Sequence, residues 1–205
     1  WYDLENAARE IAGGGPKRVI HVGPRLRVEV APNATDRRKR DLHLVLPSSR
    51  RLVYPNIKTA PHPMHGRDSL CFEGLNPVTG RFGRVFTYGG KLAENVAQAA
   101  ARDVMALALV RLEEWGVLGV PLLTVHDEAI LDVPARLAGD ALPDIKHQVE
   151  QIMLFETGKK PAWLDGLPLP ADAEATRLET EYDTARITDC PSAPPCCLRC
   201  AGCRR

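Results

Sequence analysis

No stretch of this 205-residue chain comes close to the ~20 consecutive apolar residues that a membrane-spanning helix needs. The chain opens Trp1-Tyr2-Asp3, with neither an initiator Met nor a basic segment running into an apolar one. It therefore reads as neither membrane-embedded nor secreted, and as a piece of something longer. Excess charge of one sign is also missing, since 27 Lys and Arg face 26 Asp and Glu for a net charge of +1. That balance excludes a bulk basic field, so any contact with nucleic acid has to rest on local placement of Lys and Arg. Up to residue 189 the only cysteine is Cys71, whereas Cys190, Cys196, Cys197, Cys200 and Cys203 crowd the end. Without a secretory leader these thiols are expected to be reduced.

What is there is ordinary for a globular protein, 44% hydrophobic and 26% charged, and long enough for one sizeable domain with a short appendage. Residues 1–12 have helix-forming composition and are stopped by Gly13-Gly14-Gly15-Pro16. Residues 17–30 suggest a strand or two. The basic run Arg37-Arg38-Lys39-Arg40 reads as a solvated loop before a strand over 41–46. Pro47-Ser48-Ser49 then turns the chain into Arg50-Arg51-Leu52-Val53-Tyr54, a hairpin with two arginines near its tip. The loop Pro61-His62-Pro63-Met64-His65-Gly66 has two histidines but no Cys or acid at ligand spacing, and reads as a plain connection. Residues 68–86 suggest another hairpin. Residues 134–155 read as an amphipathic helix entered through Pro143-Asp144 and packed on the back of a sheet.

Two segments stand out. Residues 91–115 form the most regular helical pattern and end at Gly116, the expected stop. At about 100° per residue, Lys91, Glu94, Asn95, Gln98 and Arg102 share one polar arc, while Leu92, Val96, Ala99 and Ala100 lie on another side. Beyond Asp103 the helix is apolar nearly all round, which predicts burial in the core. Residues 122–133 then place His126-Asp127-Glu128 between two Val-, Ile-, Leu- and Thr-rich runs. Such runs predict buried strands of a hairpin with carboxylates at its tip. Carboxylates held there need a cation, a hydrogen-bond donor or water. The pattern as a whole predicts an α+β fold: antiparallel β-hairpins packed with a long central helix and a C-terminal helix.

The order of Leu46-Pro47-Ser48-Ser49-Arg50-Arg51-Leu52-Val53-Tyr54, the Thr87-Tyr88-Gly89-Gly90-Lys91-Leu92 helix start with Gln98 and Arg102-Asp103, Val125-His126-Asp127-Glu128, and Pro161-Ala162-Trp163-Leu164-Asp165-Gly166 resembles the C-terminal part of family A DNA polymerases, the DNA polymerase I-like group, in its phage-type branch. The resemblance covers most of residues 1–187. It implies part of a polymerase palm and fingers, and a phage- or prophage-encoded protein working in the cytoplasm of a bacterial host. It also implies a two-metal site for nucleotidyl transfer in DNA replication, with Asp127 as a Mg²⁺ ligand and Glu128 in a supporting catalytic role. By the same resemblance His126, Gln98 and Asn95 face the primer-template duplex, and Arg102, Lys91, Arg50 and Arg51 are candidates for its phosphates.

The departure from the family matters equally. Its members carry an upstream strand with a second metal-binding Asp, and a helix that holds the deoxynucleoside triphosphate; neither is found before residue 91. The chain is therefore expected not to polymerise DNA by itself and to need the missing N-terminal portion. Two alternatives stay open: a non-catalytic DNA-binding remnant, or a split-polymerase subunit acting in trans. In residues 188–205, Cys197-Leu198-Arg199-Cys200-Ala201-Gly202-Cys203 holds overlapping Cys-x-x-Cys pairs. Together with Cys196 or Cys190 they supply four thiolates for one Zn²⁺, and a metal-binding interaction module is a further alternative. No second pair stands a dozen residues away, and the competing reading is a disordered Pro/Cys-rich tail.

Overall fold

The computed structural model describes residues 1–118 and 121–175. A compact unit spans Trp1–Asp172, and a second begins at Ala173. The cysteine tail and its candidate zinc ligands lie outside the described residues. Among the described residues no helix is long and apolar enough to cross a membrane.

The fold is α+β, as the pattern predicts, with antiparallel sheets. Helix α1 (Tyr2–Ala12) buries Leu4, Ala7, Ala8 and Ile11, a spacing that lines up one helical face. Four strands follow in the order β1 (Val19–Val22), β2 (Leu26–Pro32), β3 (Arg40–Val45) and β4 (Arg51–Tyr54), each antiparallel to the next. A second sheet contains β5 (Lys58–Pro61), β6 (Asp68–Leu75) and β7 (Phe82–Thr87). Helix α1, Val28, Leu42 and Leu44 of the first sheet, Leu70 of the second and Leu92 of helix α2 (Gly89–Trp115) meet in one apolar core. Strand β5 was not expected from the sequence. It ends in proline and has no apolar alternation, and its place is fixed by pairing Lys58 to Pro61 against Cys71 to Asp68.

Helix α2 starts two residues earlier than the pattern indicated, at Gly89-Gly90, and ends on Gly116 in the left-handed conformation at φ 70°. Its start is fixed from the other end of the chain. Glu5 of α1 accepts the Gly89 N–H at 3.0 Å, satisfying one of the donors a helix start leaves unpaired. A Cβ on Gly89 would lie 2.7 Å from the Glu5 side chain and 3.0 Å from the Trp1 carbonyl oxygen, so this helix-to-helix approach requires glycine.

Three expectations need correction. The second half of α2 is not buried all round: Met105, Ala108 and Leu112 form the buried stripe, whereas Val110 is 48% exposed. The reason is that its neighbours, mainly the segment after α3, cover one side of it. Helix α3 is shorter than residues 134–155, running Leu142–Met153 after a 3-10 turn at Ala135–Leu137. It packs against α2 and not on the back of a sheet, because the apolar side chains at its end, Met153 and Phe155, meet Ala108 of α2. There Ala108, Phe155 and Leu164 form a second small core with Leu107, Met153 and Trp163 around it. The third correction concerns strands β8 (Leu123–Val125) and β9 (Glu128–Ile130), expected to be buried. Among the described residues they pair only with each other, and Leu122, Leu123, Val125 and Ile130 are all exposed. Their apolar side chains are covered only in part among the described residues.

Candidate nucleic-acid interface

The β3–β4 turn lies against the middle of α2, and the two elements enclose a shallow groove. Its walls are Arg50, Arg51, Leu52, Val53 and Tyr54 from the strand side, and Asn95, Gln98, Ala99 and Arg102 from the helix. Five of the residues singled out as DNA-facing, Arg50, Arg51, Asn95, Gln98 and Arg102, thus line one surface although they lie up to 52 positions apart. Helical spacing puts Asn95, Gln98 and Arg102 along one edge, about one turn apart.

Two residues that sequence reasoning did not single out hold this groove in shape. Asp103 accepts the Arg50 Nε–H at 2.6 Å and the Ser48 hydroxyl, and Arg50 also donates to the Ala99 carbonyl at 2.7 Å. Arg50 is thereby committed to fastening the turn onto the helix. Tyr54 is 5% exposed at the end of β4, and its hydroxyl receives the Asn95 amide N–H at 2.9 Å. Burial raises the Tyr54 phenol above its ordinary value of 10.0, against smaller opposing effects of Asn95 and Lys91. It stays neutral and free to accept that hydrogen bond at neutral pH. The signal for Asp103 was an acid placed just before the apolar run Val104–Val110, which calls for a donor from elsewhere.

The remaining cations differ in freedom. Lys91 bonds Glu94 at 2.9 Å, and that hydrogen bond together with the carboxylate charge raises its pKa. Glu94 also takes an N–H from Gln98 at 3.3 Å. Arg51 lies 3.9 Å from Glu29, a loose exposed pair of little energetic consequence. The Arg102 side chain has no hydrogen bond or ion pair among the described residues, so its guanidinium is available at the groove edge.

The acidic turn is a two-residue connection. Val125 pairs with Glu128, His126 takes a left-handed φ of 54°, and Asp127 completes the turn. His126, Asp127 and Glu128 are all exposed, and no hydrogen bond or ion pair among the described residues ties them to the groove. Among the described residues no group of three or more His, Cys, Asp or Glu is arranged to hold a metal ion. Asp127 and its neighbour Glu128 are two accessible carboxylates, which suits a cation that keeps waters and substrate oxygens in its shell, and does not suit a closed protein cage.

Fold and surface together define an α+β protein that presents a polar groove with an unpaired arginine, and a separate carboxylate-bearing turn. In sequence it is similar to a protein named DNA polymerase from Bacillus phage SP02, with 39% identity over 177 residues. The similar region is 86% of this chain and 24% of the phage protein, so the chain spans about a quarter of that relative's length. No protein-family model matches the chain, and no solved structure matches it.

Proposed function

We propose that this chain is part of a phage-type, family A DNA polymerase and contributes to template-directed nucleotidyl transfer during DNA replication. The observation that carries this reading is the similarity to a phage DNA polymerase. It extends over 177 of 205 residues, a length that takes in both the groove and the acidic turn wherever the unmatched ends fall. In this reading primer-template duplex lies along the groove. Gln98 and Asn95 present side-chain amides to minor-groove acceptors common to all base pairs, which tests duplex shape without reading sequence. Arg102 and Arg51 take phosphates, with Lys91 at the helix start. His126 stands beside the growing primer end, with Asp127 as metal ligand and Glu128 in support.

Asp127 and Glu128 fit Mg²⁺ as half of a site. When bound, two such ions stabilise the attacking and leaving oxygens of the displacement. The other carboxylate and the grip on the deoxynucleoside triphosphate are assigned to a portion of the polymerase outside this chain. In the complete polymerase, Asp127→Ala is expected to abolish primer extension while duplex affinity stays close to that of the parent. Near-normal extension by Asp127→Ala would remove the turn from the active site. A second reading, a split subunit that completes the site in trans, is favoured by the accessible half-site. It requires extension to return when the separate portion is mixed with this chain.

A further inference from the structure

The β6–β7 hairpin ends in a patch that neither the groove nor the acidic turn uses. Leu70 and Cys71 at its base are 0% and 1% exposed, whereas Leu75, Val78 and Phe82 at its far end are 65%, 91% and 74% exposed. The register sets Leu75 opposite Phe82 and Glu73 opposite Arg84, so Leu75, Phe82 and Arg84 share one face. From residue 74 to residue 84 the only charged side chains are Arg81 and Arg84. Neither guanidinium has a hydrogen bond or ion pair among the described residues. Glu73, the nearest acid along the strand, is taken up by Lys39 at 3.0 Å and by Asn56 at 2.6 Å. An exposed aromatic ring with one unneutralised arginine on its own face and another next to it in the chain is complementary to an anion with flat apolar faces.

Gly83 adds an independent observation. Its φ is not in the left-handed region, and a Cβ built there would meet nothing within 4 Å. Neither backbone conformation nor packing inside the chain therefore asks for glycine, although glycine weakens a strand. A bare position on the outer strand of a sheet suits close approach by another molecule.

We infer that the end of the β6–β7 hairpin is a binding site for single-stranded DNA, with a base stacked on Phe82, phosphates taken by Arg81 and Arg84, and the strand crossing the free edge of β7 at Gly83. Single-stranded and not duplex DNA is required because a base must offer its face to the ring, and in a duplex those faces are stacked on one another. That the nucleic acid is DNA rests on the polymerase reading, in which a template strand runs on unpaired beyond the primer end.

Fluorescence anisotropy with the 205-residue chain tests this, using labelled oligothymidine and a blunt duplex of equal length across a salt series. Phe82→Ala is expected to weaken oligothymidine binding by roughly tenfold, and Phe82→Trp to preserve it. Both should leave duplex affinity unchanged. Arg81→Gln combined with Arg84→Gln should flatten the logarithmic salt dependence of oligothymidine binding by about 1.4. Oligothymidine binding by Phe82→Ala equal to the parent's, the outcome if this patch docks a protein, overturns the assignment. Arg102→Gln separates it from the polymerase reading. Loss of duplex binding in Arg102→Gln with no effect of Phe82→Ala on oligothymidine sinks the hairpin site alone. The reverse pattern keeps the hairpin site and removes the groove, and a parent that binds neither DNA removes both.

Discussion

Replacing Asp103 with Ala is the most direct probe of how the groove is built. The substitution removes a carboxylate, 14% exposed, that accepts Arg50 Nε–H at 2.6 Å and the Ser48 hydroxyl. A hydrogen bond to a charged group contributes about 1.5–3 kcal/mol when well buried. Arg50 is 45% exposed, however, so water screens the ion pair toward the ~0–1 kcal/mol of a surface pair. Arg50 also keeps its bond to the Ala99 carbonyl. The net loss is expected to be about 1–2 kcal/mol, a fall in Tm of about 3–6 °C for a chain of this size. Urea denaturation of the parent, Arg50→Ala, Asp103→Ala and the double variant isolates the pair. A coupling of about 0.5–1.5 kcal/mol is expected from residues in direct contact. Strict additivity would refute the clamp. The same variants decide what Arg50 does: as a clamp its loss lowers stability as much as the loss of Asp103 does. As a phosphate ligand its loss would instead weaken duplex binding and flatten the salt dependence at nearly full stability.

Gly89→Ala should destabilise the chain, although alanine is favoured over glycine by about 1 kcal/mol in a helix interior. The new Cβ would stand 2.7 Å from the Glu5 side chain, and overpacking of that kind costs about 1–3 kcal/mol, so a higher urea midpoint for Gly89→Ala than for the parent would contradict the contact. Acid should also act through Glu5. Burial works to raise its pKa, but hydrogen bonds from Arg9 and the Gly89 N–H, with the charge of Arg9, outweigh burial and hold the carboxyl below its ordinary 4.5. A depressed folded-state pKa contributes stability that is fully present above 4.5 and is lost as pH falls through the lower folded value. Urea midpoints followed downward from about pH 6 should therefore drop less steeply in Glu5→Gln than in the parent below that point, and parallel curves would exclude the role.

The elements that were legible in the sequence are those whose causes are local. Helix α1 shows Leu4, Ala7, Ala8 and Ile11 on one face and a glycine run behind it, and α2 ends on a glycine that takes the left-handed turn. The polar arc of Asn95, Gln98 and Arg102 follows from helical geometry alone. What was not legible depends on distant partners. Nothing near Asp103 in the chain indicates that it will receive Arg50 from 53 residues away, and nothing near Tyr54 indicates Asn95. Those two contacts turn an amphipathic helix and a hairpin into a groove. Strand β5 is illegible for the same reason, since β6 supplies the pairing that its own sequence does not advertise.

The two failed burial expectations carry a physical message about the acidic turn. Composition rightly marked residues 122–133 and the second half of α2 as apolar, yet Val110, Leu122, Leu123, Val125 and Ile130 stay exposed. A hairpin with three-residue strands and, among the described residues, no third strand is marginal in water, and exposed apolar patches mark surfaces built to be covered. Asp127 sits in the turn of that same hairpin with Glu128 as its neighbouring carboxylate, and among the described residues no group of three or more ligating side chains forms there. In the proposed polymerase, the unburied strands and the incomplete ligand set are one deficit seen twice. A strand that packed along β8 or β9 would cover the apolar side chains, extend the sheet, and be placed to bring a further carboxylate toward Asp127. Covering the hairpin should also stiffen the turn, and a metal ligand is effective only when its position is held. The carboxylates of this chain are thus expected to gain magnesium affinity and order together when the remaining portion is added, and not one before the other.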